Sequence, residues 1–173
     1  MKKTILLVTS LTMMSLSIIS CDNNDEPNCP NALTGELSTA ESDFAGNWTL
    51  KSMVSEDEID LTDDSVDNPS TDIFEQYTAC QQDIIYEFNA DRSYAYKQGT
   101  IAADCSDKQT LSGTWKLTDD IITFVGGCSI QTADIDINEN STEFSFEGNY
   151  NFIDVNSNSV VSKVVLTYEK NPS

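Results

Sequence analysis

The chain has 173 residues, of which 39% are hydrophobic and 22% charged; 29 acidic residues face 9 basic ones, giving a net charge of −20, and there is no histidine. That acidic surplus repels phosphate backbones and anionic headgroups, so nucleic acid is not an expected partner. The missing imidazole removes Ser-His-Asp triads, His-bearing zinc sites and imidazole bases together.

In chain order, Met1-Lys2-Lys3 precedes a mostly apolar run from Thr4 to Ile19. Two lysines ahead of a short apolar segment predict a secretory signal peptide over residues 1–20. The run is shorter than the ~20 residues of a comfortable membrane span. Ile18-Ile19-Ser20-Cys21 resembles the lipobox of bacterial lipoproteins, which implies lipidation of Cys21 and a bilayer held through its acyl chains. Each buried methylene adds ~0.8 kcal/mol, so a triply acylated cysteine holds a domain on a membrane almost permanently. Removing the leader also removes Lys2 and Lys3 and takes the net charge from −20 to −22. Asp22-Asn23-Asn24-Asp25-Glu26 resembles the acidic tract that sends some Gram-negative lipoproteins to the outer face. The expected location is therefore the outer membrane, on the cell surface or the periplasmic side. Residues 21–43, with Pro27, Pro30 and Gly35 and no apolar period, read as a flexible acidic tether.

The remaining stretch, 44–170, suits one domain with one core. Its apolar residues recur at every second position, the strand period. Trp48 and Leu50 share a face, as do Ile84, Tyr86 and Phe88. Asn89-Ala90-Asp91-Arg92-Ser93 is a polar connection to Tyr94 and Tyr96. Leu111, Gly113, Trp115 and Leu117 alternate with polar residues, and Thr118-Asp119-Asp120 turns the chain into Ile121–Val125. Gly126-Gly127 breaks that strand. Ala133, Ile135 and Ile137 follow, then Phe144, Phe146, Tyr150 and Phe152, then a strand from about Val160 to Tyr168. No segment carries a helical face. The reading is all-β, about eight strands in an antiparallel meander. An open meander leaves two unpaired edges, so an up-and-down barrel is expected, with its first and last strands paired.

Cys29, Cys80, Cys105 and Cys128 remain once Cys21 is set aside, an even number in an exported chain. Three pairings exist. Cys80 and Cys105 flank the hairpin centred near Asp91, with a mismatch of two or three residues for a loop to absorb, which favours Cys80–Cys105 and leaves Cys29–Cys128. Closing the first loop contributes on the order of 3 kcal/mol in the chain-entropy model. Four thiolates on zinc are the rival, and the absence of a Cys-x-x-Cys pair counts against them.

Gly46-Asn47-Trp48 and Gly113-Thr114-Trp115, ordered with Tyr86-Glu87-Phe88-Asn89-Ala90-Asp91, the Tyr94/Tyr96 pair and the two flanking cysteines, resemble the lipocalin-like domain of bacterial lipoproteins over residues 44–169. The chain departs from that pattern at Arg92, where the turn commonly has glycine, and in a long acidic insertion after the first strand. The resemblance implies a barrel whose interior holds a small apolar or amphipathic molecule. Trp48, Tyr86, Phe88, Tyr94, Tyr96, Trp115, Phe144 and Phe146 are the candidate ligand-binding residues. It also implies a basic residue near the last strand packed on the first tryptophan, for which Lys163 and Lys170 are candidates. For the rings themselves a filled core is the favoured reading over a pocket, because a small barrel needs large interior residues to avoid voids.

Two acidic stretches invite calcium. Asp134-Ile135-Asp136-Ile137-Asn138 begins like a calcium loop, but Glu139 stands where glycine belongs, and strand alternation explains the spacing. The acid-rich segment 55–67 reads as a lid, a disordered loop or plain solvated charge. Within it, Asp64-Ser65-Val66 resembles a short O-glycosylation motif of exported bacterial proteins. No metal, cofactor or catalytic residue is expected. The leading expectation is a monomeric, membrane-anchored binder of a small molecule. The alternatives are a filled-barrel lipoprotein contacting a protein or glycan through its loops, an enzyme inhibitor among them, and, last, a carboxylate-dependent hydrolase.

Overall fold

The computed structural model describes residues 28–172; the leader, Cys21 and the tract 22–27 lie outside the described residues. A short helix α1 (Thr39–Phe44) precedes β1 (Gly46–Ile59). The segment after β1 supplies β2 (Ser70–Asp72), α2 (Ile73–Gln76) and α3 (Ala79–Gln82). There follow β3 (Ile84–Phe88), β4 (Ser93–Gln98), β5 (Gln109–Thr118), β6 (Ile121–Gly126), β7 (Ser129–Asp134), β8 (Asp136–Ile137), β9 (Glu143–Ile153) and β10 (Ser159–Lys170). All pair antiparallel in one sheet, ordered β7-β6-β5-β4-β3-β1-β10-β9-β8, with β2 on the flank of β1.

The sheet curls into a nearly closed barrel. β1 and β10, first and last of the long strands, pair from Trp48↔Lys170 to Ser55↔Val164, as the need to bury edges predicts. The seam lies elsewhere. β7 and β8 are one stretch of chain interrupted at Ile135, whose N–H leaves the ladder for the Asp120 carbonyl. β7 pairs only with β6, and β8 reaches β9 through two residue pairs, so no ladder joins β7 to β9. The eight expected strands are all present; β2 and the split at Ile135 raise the number.

Three expectations need correction. Short helices exist where no helical face was expected, because turns of four to six residues cannot display a 3.6-residue period. Their signature is local. Ser38 and Glu41 form a reciprocal capping box in α1, and Thr78 and Gln81 another in α3. The tether does not extend to residue 43. From Cys29 the chain is fastened to the barrel: by a disulfide to Cys128, by Leu33 N–H donating to Thr114 Oγ1, and by Arg92 donating to the carbonyls of Gly35 and Glu36. Nor is the acid-rich segment 55–67 a loop throughout: residues 55–59 belong to β1, while residues 60–69 carry no helix or strand and leave most of their acids solvated. β1 continues to Ile59, and Asp60, buried, accepts from Thr62 N–H and its hydroxyl. Gln76 ties the segment back by donating to the Ile59 carbonyl and accepting from Leu61 N–H.

Both disulfides of the favoured pairing are formed, with Cα separations of 4.6 Å for Cys29–Cys128 and 5.6 Å for Cys80–Cys105. The Gly99–Lys108 connection absorbs the hairpin mismatch. Both bonds sit at the same end of the barrel, where β6 turns into β7 and β4 leads to β5.

Candidate ligand-binding cup

The inward face of the barrel divides along its axis. At one end α1 lies across the opening and drives Phe44 into it. The Phe44 ring centroid is 4.9 Å from Trp48, 5.1 Å from Phe88 and 5.3 Å from Phe144. Phe88 lies 5.1 Å from Trp115. These five rings are essentially excluded from water. Both indole N–H groups are satisfied, Trp48 to the Phe44 carbonyl at 2.9 Å and Trp115 to the Asn89 carbonyl at 3.1 Å. Lys170 Nζ stands 5.4 Å from the Trp48 ring centroid. It is the basic residue that the resemblance implies; Lys163 instead pairs with Glu147. Gly46, in the first Gly-x-Trp, has φ +140, and a β-carbon there would lie 2.9 Å from Lys170 Cε.

A buried ion pair fixes this stopper. The Glu41 carboxylate accepts from Arg92 Nη1 at 2.7 Å and Nη2 at 2.9 Å, from Ser38 N–H at 2.7 Å and from Leu117 N–H at 3.2 Å. Arg92 also donates from Nη1 to the Trp115 carbonyl. The guanidinium, more than offsetting the opposing effect of burial, holds the Glu41 carboxyl down at about 2. Arg92 adopts φ 68, the left-handed conformation in which glycine is at ease. The strain, ~1–2 kcal/mol for a side chain in that region, is offset by a guanidinium that satisfies a carboxylate and three carbonyls. Here lies the reason for the departure from glycine at this turn.

At the other end the barrel is hollow. A cavity of about 500 Å³ opens between the strands, within the usual range for small-molecule sites. Its floor and walls include Phe124, Phe146, Leu166, Tyr86, Tyr94 and Tyr168; Gln98 and Gln109, paired across β4 and β5, belong to its rim with Tyr77 and Tyr96. Tyr150 and Gln131 complete the polar lining. Leu111 faces the cup yet is 60% exposed, which marks the breadth of the mouth. Beside the cup, Gly113 of the second Gly-x-Trp and Gly126 let β5, β6 and the Tyr94 ring pack closely. A β-carbon at Gly113 would lie 2.2 Å from the Val125 carbonyl oxygen and 2.9 Å from the Tyr94 ring, and one at Gly126 would lie 3.3 Å from the Tyr94 hydroxyl. Burial pushes the phenols of Tyr86, Tyr96, Tyr150 and Tyr168 upward, so they are neutral hydroxyl groups at physiological pH. A smaller pocket of about 150 Å³, lined by Ala133, Thr132, Phe144 and Phe146, lies along the β7/β9 seam.

The candidate residues therefore separate. Tyr86, Tyr94, Tyr96 and Phe146 line the cup, whereas Trp48, Phe88 and Trp115 belong to the stopper and do not. Phe144 does not line the cup either: it packs on Phe44 in the stopper and reaches the seam pocket. The three glutamines, Tyr77 and Tyr168 line the cup without having been singled out from sequence; Tyr168 shares the inward face of β10 with Leu166 and Val164, and that parity was its signal. Asp134 and Asp136 point outward around buried Ile135, and among the described residues no cluster of acids or cysteines has the arrangement of a metal site. Asp64-Ser65-Val66 is exposed.

The fold and its cavity define a class: an antiparallel barrel stoppered at one end by a helix and an ion pair, and open as an aromatic cup at the other. The chain belongs to the family described as domain of unknown function DUF5004, whose model matches residues 22–171. The match begins well before residue 44, in keeping with the docked N-terminal segment. No curated protein matches the chain.

Proposed function

We propose that this protein is an exported bacterial lipoprotein, anchored through acylated Cys21, whose lipocalin-like barrel binds a small amphipathic molecule. The observation that carries the reading is the open, aromatic-walled cavity of about 500 Å³. A barrel kept only for its surface would bury those rings against one another, as its own stoppered end does. The filled-barrel reading fits that end alone. Support for the lipocalin-like character comes from the two Gly-x-Trp motifs at their structural posts and from Lys170 over Trp48.

The anchor and the cup are linked in this reading. Cys29 is bonded to Cys128 in the turn at the mouth of the barrel. It lies eight positions after Cys21 in the sequence, and an extended chain spans at most ~3.6 Å per residue. An acylated Cys21 thus keeps the mouth within about 30 Å of the bilayer surface, near molecules that partition there. The outer membrane is the proposed location. Titrating the purified protein with N-phenyl-1-naphthylamine tests the cup: saturable fluorescence enhancement at one site is expected, and a linear, non-saturating response would count against it. Labelling cells with an alkyne fatty acid tests the anchor; label lost on Cys21→Ser is expected, and an unlabelled wild-type chain removes that part of the proposal.

A further inference from the structure

Resting on the cup reading above, we infer that the molecule held there carries no charge: a ring-bearing or flat apolar body with several hydroxyl, amide or carbonyl groups, not a fatty-acid or phospholipid anion. The cavity lining contains no lysine, arginine, aspartate or glutamate, in a chain whose residues are 22% charged. The basic residues adjacent in sequence do not reach it. Lys97 points to the outer face, where it pairs with Glu87, and Lys108 lies in the loop before β5. A carboxylate or phosphate inside would lose its water with no counter-charge, and would first have to approach a molecule whose sequence carries a net charge of −20.

A cation meets the converse limit. The attraction of the tyrosine faces for it is weaker than the hydration it loses on leaving water without an acid nearby. What the cup supplies instead is neutral hydrogen bonding. Among the described residues the hydroxyls of Tyr86, Tyr94, Tyr150 and Tyr168 have no protein partner, while Tyr96 O–H donates to Gln98 Oε1 at 3.3 Å. Each glutamine amide both donates and accepts. A bare alkyl chain would bury these groups unpaired, each losing its water without a replacement partner. A molecule bearing its own hydroxyls or amides satisfies them, with its apolar body against Phe124, Phe146 and Leu166 and its polar groups toward Gln98 and Gln109.

The test holds the fluorophore constant and varies charge: dansylamide (neutral), dansylglycine (carboxylate) and dansylcadaverine (ammonium), each titrated at pH 7 into the purified full-length mature chain. Dansylamide is expected to bind at least ~10-fold more tightly than either charged analogue, a difference of about 1.4 kcal/mol. In Gln109→Lys, at the exposed rim, dansylglycine is expected to overtake dansylamide. Equal or tighter binding of either charged probe to the wild-type chain overturns the inference and leaves the cup standing. Failure of all three to bind overturns the cup reading itself, and this inference with it.

Discussion

The two ends of this barrel are built from the same strands and the same alternation of inward rings, yet one is solid and the other hollow. At the stoppered end α1 lies across the opening, and Phe44 fills the axis between Trp48, Phe88 and Phe144 at centroid distances of 4.9–5.3 Å. At the open end, among the described residues, no helix crosses the axis, and tyrosine and glutamine side chains border a cavity. Inward alternation makes a barrel; what is laid across its end decides whether the barrel has a cavity.

The open end forgoes packing and is held by covalent bonds instead. Replacing Cys29 and Cys128 with serine should therefore have the largest effect. Their separation of 99 residues corresponds to ~4.7 kcal/mol in the chain-entropy model, read as a lower urea midpoint. Loss of less than ~1 kcal/mol would mean that packing, not the crosslink, secures the mouth.

At the stopper, Glu41→Ala strands a buried guanidinium. The expected cost is ~3–5 kcal/mol, and the double substitution Glu41→Ala/Arg92→Met should cost less than the two single effects summed. Equal, additive losses would show that the pair is not coupled.

The two ends also answer pH oppositely. Glu41 titrates at about 2 when folded against 4.5 in its ordinary state, so its contribution is complete above pH 4.5 and is lost as pH falls toward 2. That loss amounts to roughly 3 kcal/mol. The cup phenols are shifted upward, so the stability they confer is complete below their ordinary pKa of 10.0 and declines as pH rises beyond it. Acid unfolding should lose its step near pH 4 in Glu41→Gln. The alkaline limb should move upward when Tyr86 becomes phenylalanine. A limb unmoved by its own substitution would break the assignment.

The smallest effect belongs to the rim. Leu111→Ala removes a side chain already 60% exposed and should change stability by no more than ~0.5 kcal/mol, while weakening probe binding.

The strands were readable because half-buried antiparallel strands record their inward face in every second residue. Ile84, Tyr86 and Phe88, or Phe144 to Phe152, needed no structure to be placed inward. Depth was another matter. Parity reports in or out, not how far along the axis a residue sits, so Phe88 and Tyr86, two residues apart on β3, looked alike although one is packed in the stopper and the other lines the cup. What α1 covers decides that: Trp48 and Tyr86 face one another across β1 and β3, and it is on Trp48 that Phe44 stacks. The Glu41–Arg92 pair was hidden by its 51-residue separation and by a tether-like composition around Glu41. Two local signs were present nonetheless: the capping box of Ser38 and Glu41, and an arginine where the turn calls for glycine. The disulfides were legible because a hairpin makes distance along the chain a guide to distance in space.

The central claim is that the open end holds a guest. Native mass spectrometry of the protein purified from its own cells tests it most directly. The account predicts a non-covalent adduct of a few hundred daltons, within the size range a cavity of this kind accommodates, released on mild activation and displaced by dansylamide. A single species at the mass of the modified polypeptide, unchanged after exposure to a lipid-rich cell extract, would contradict it.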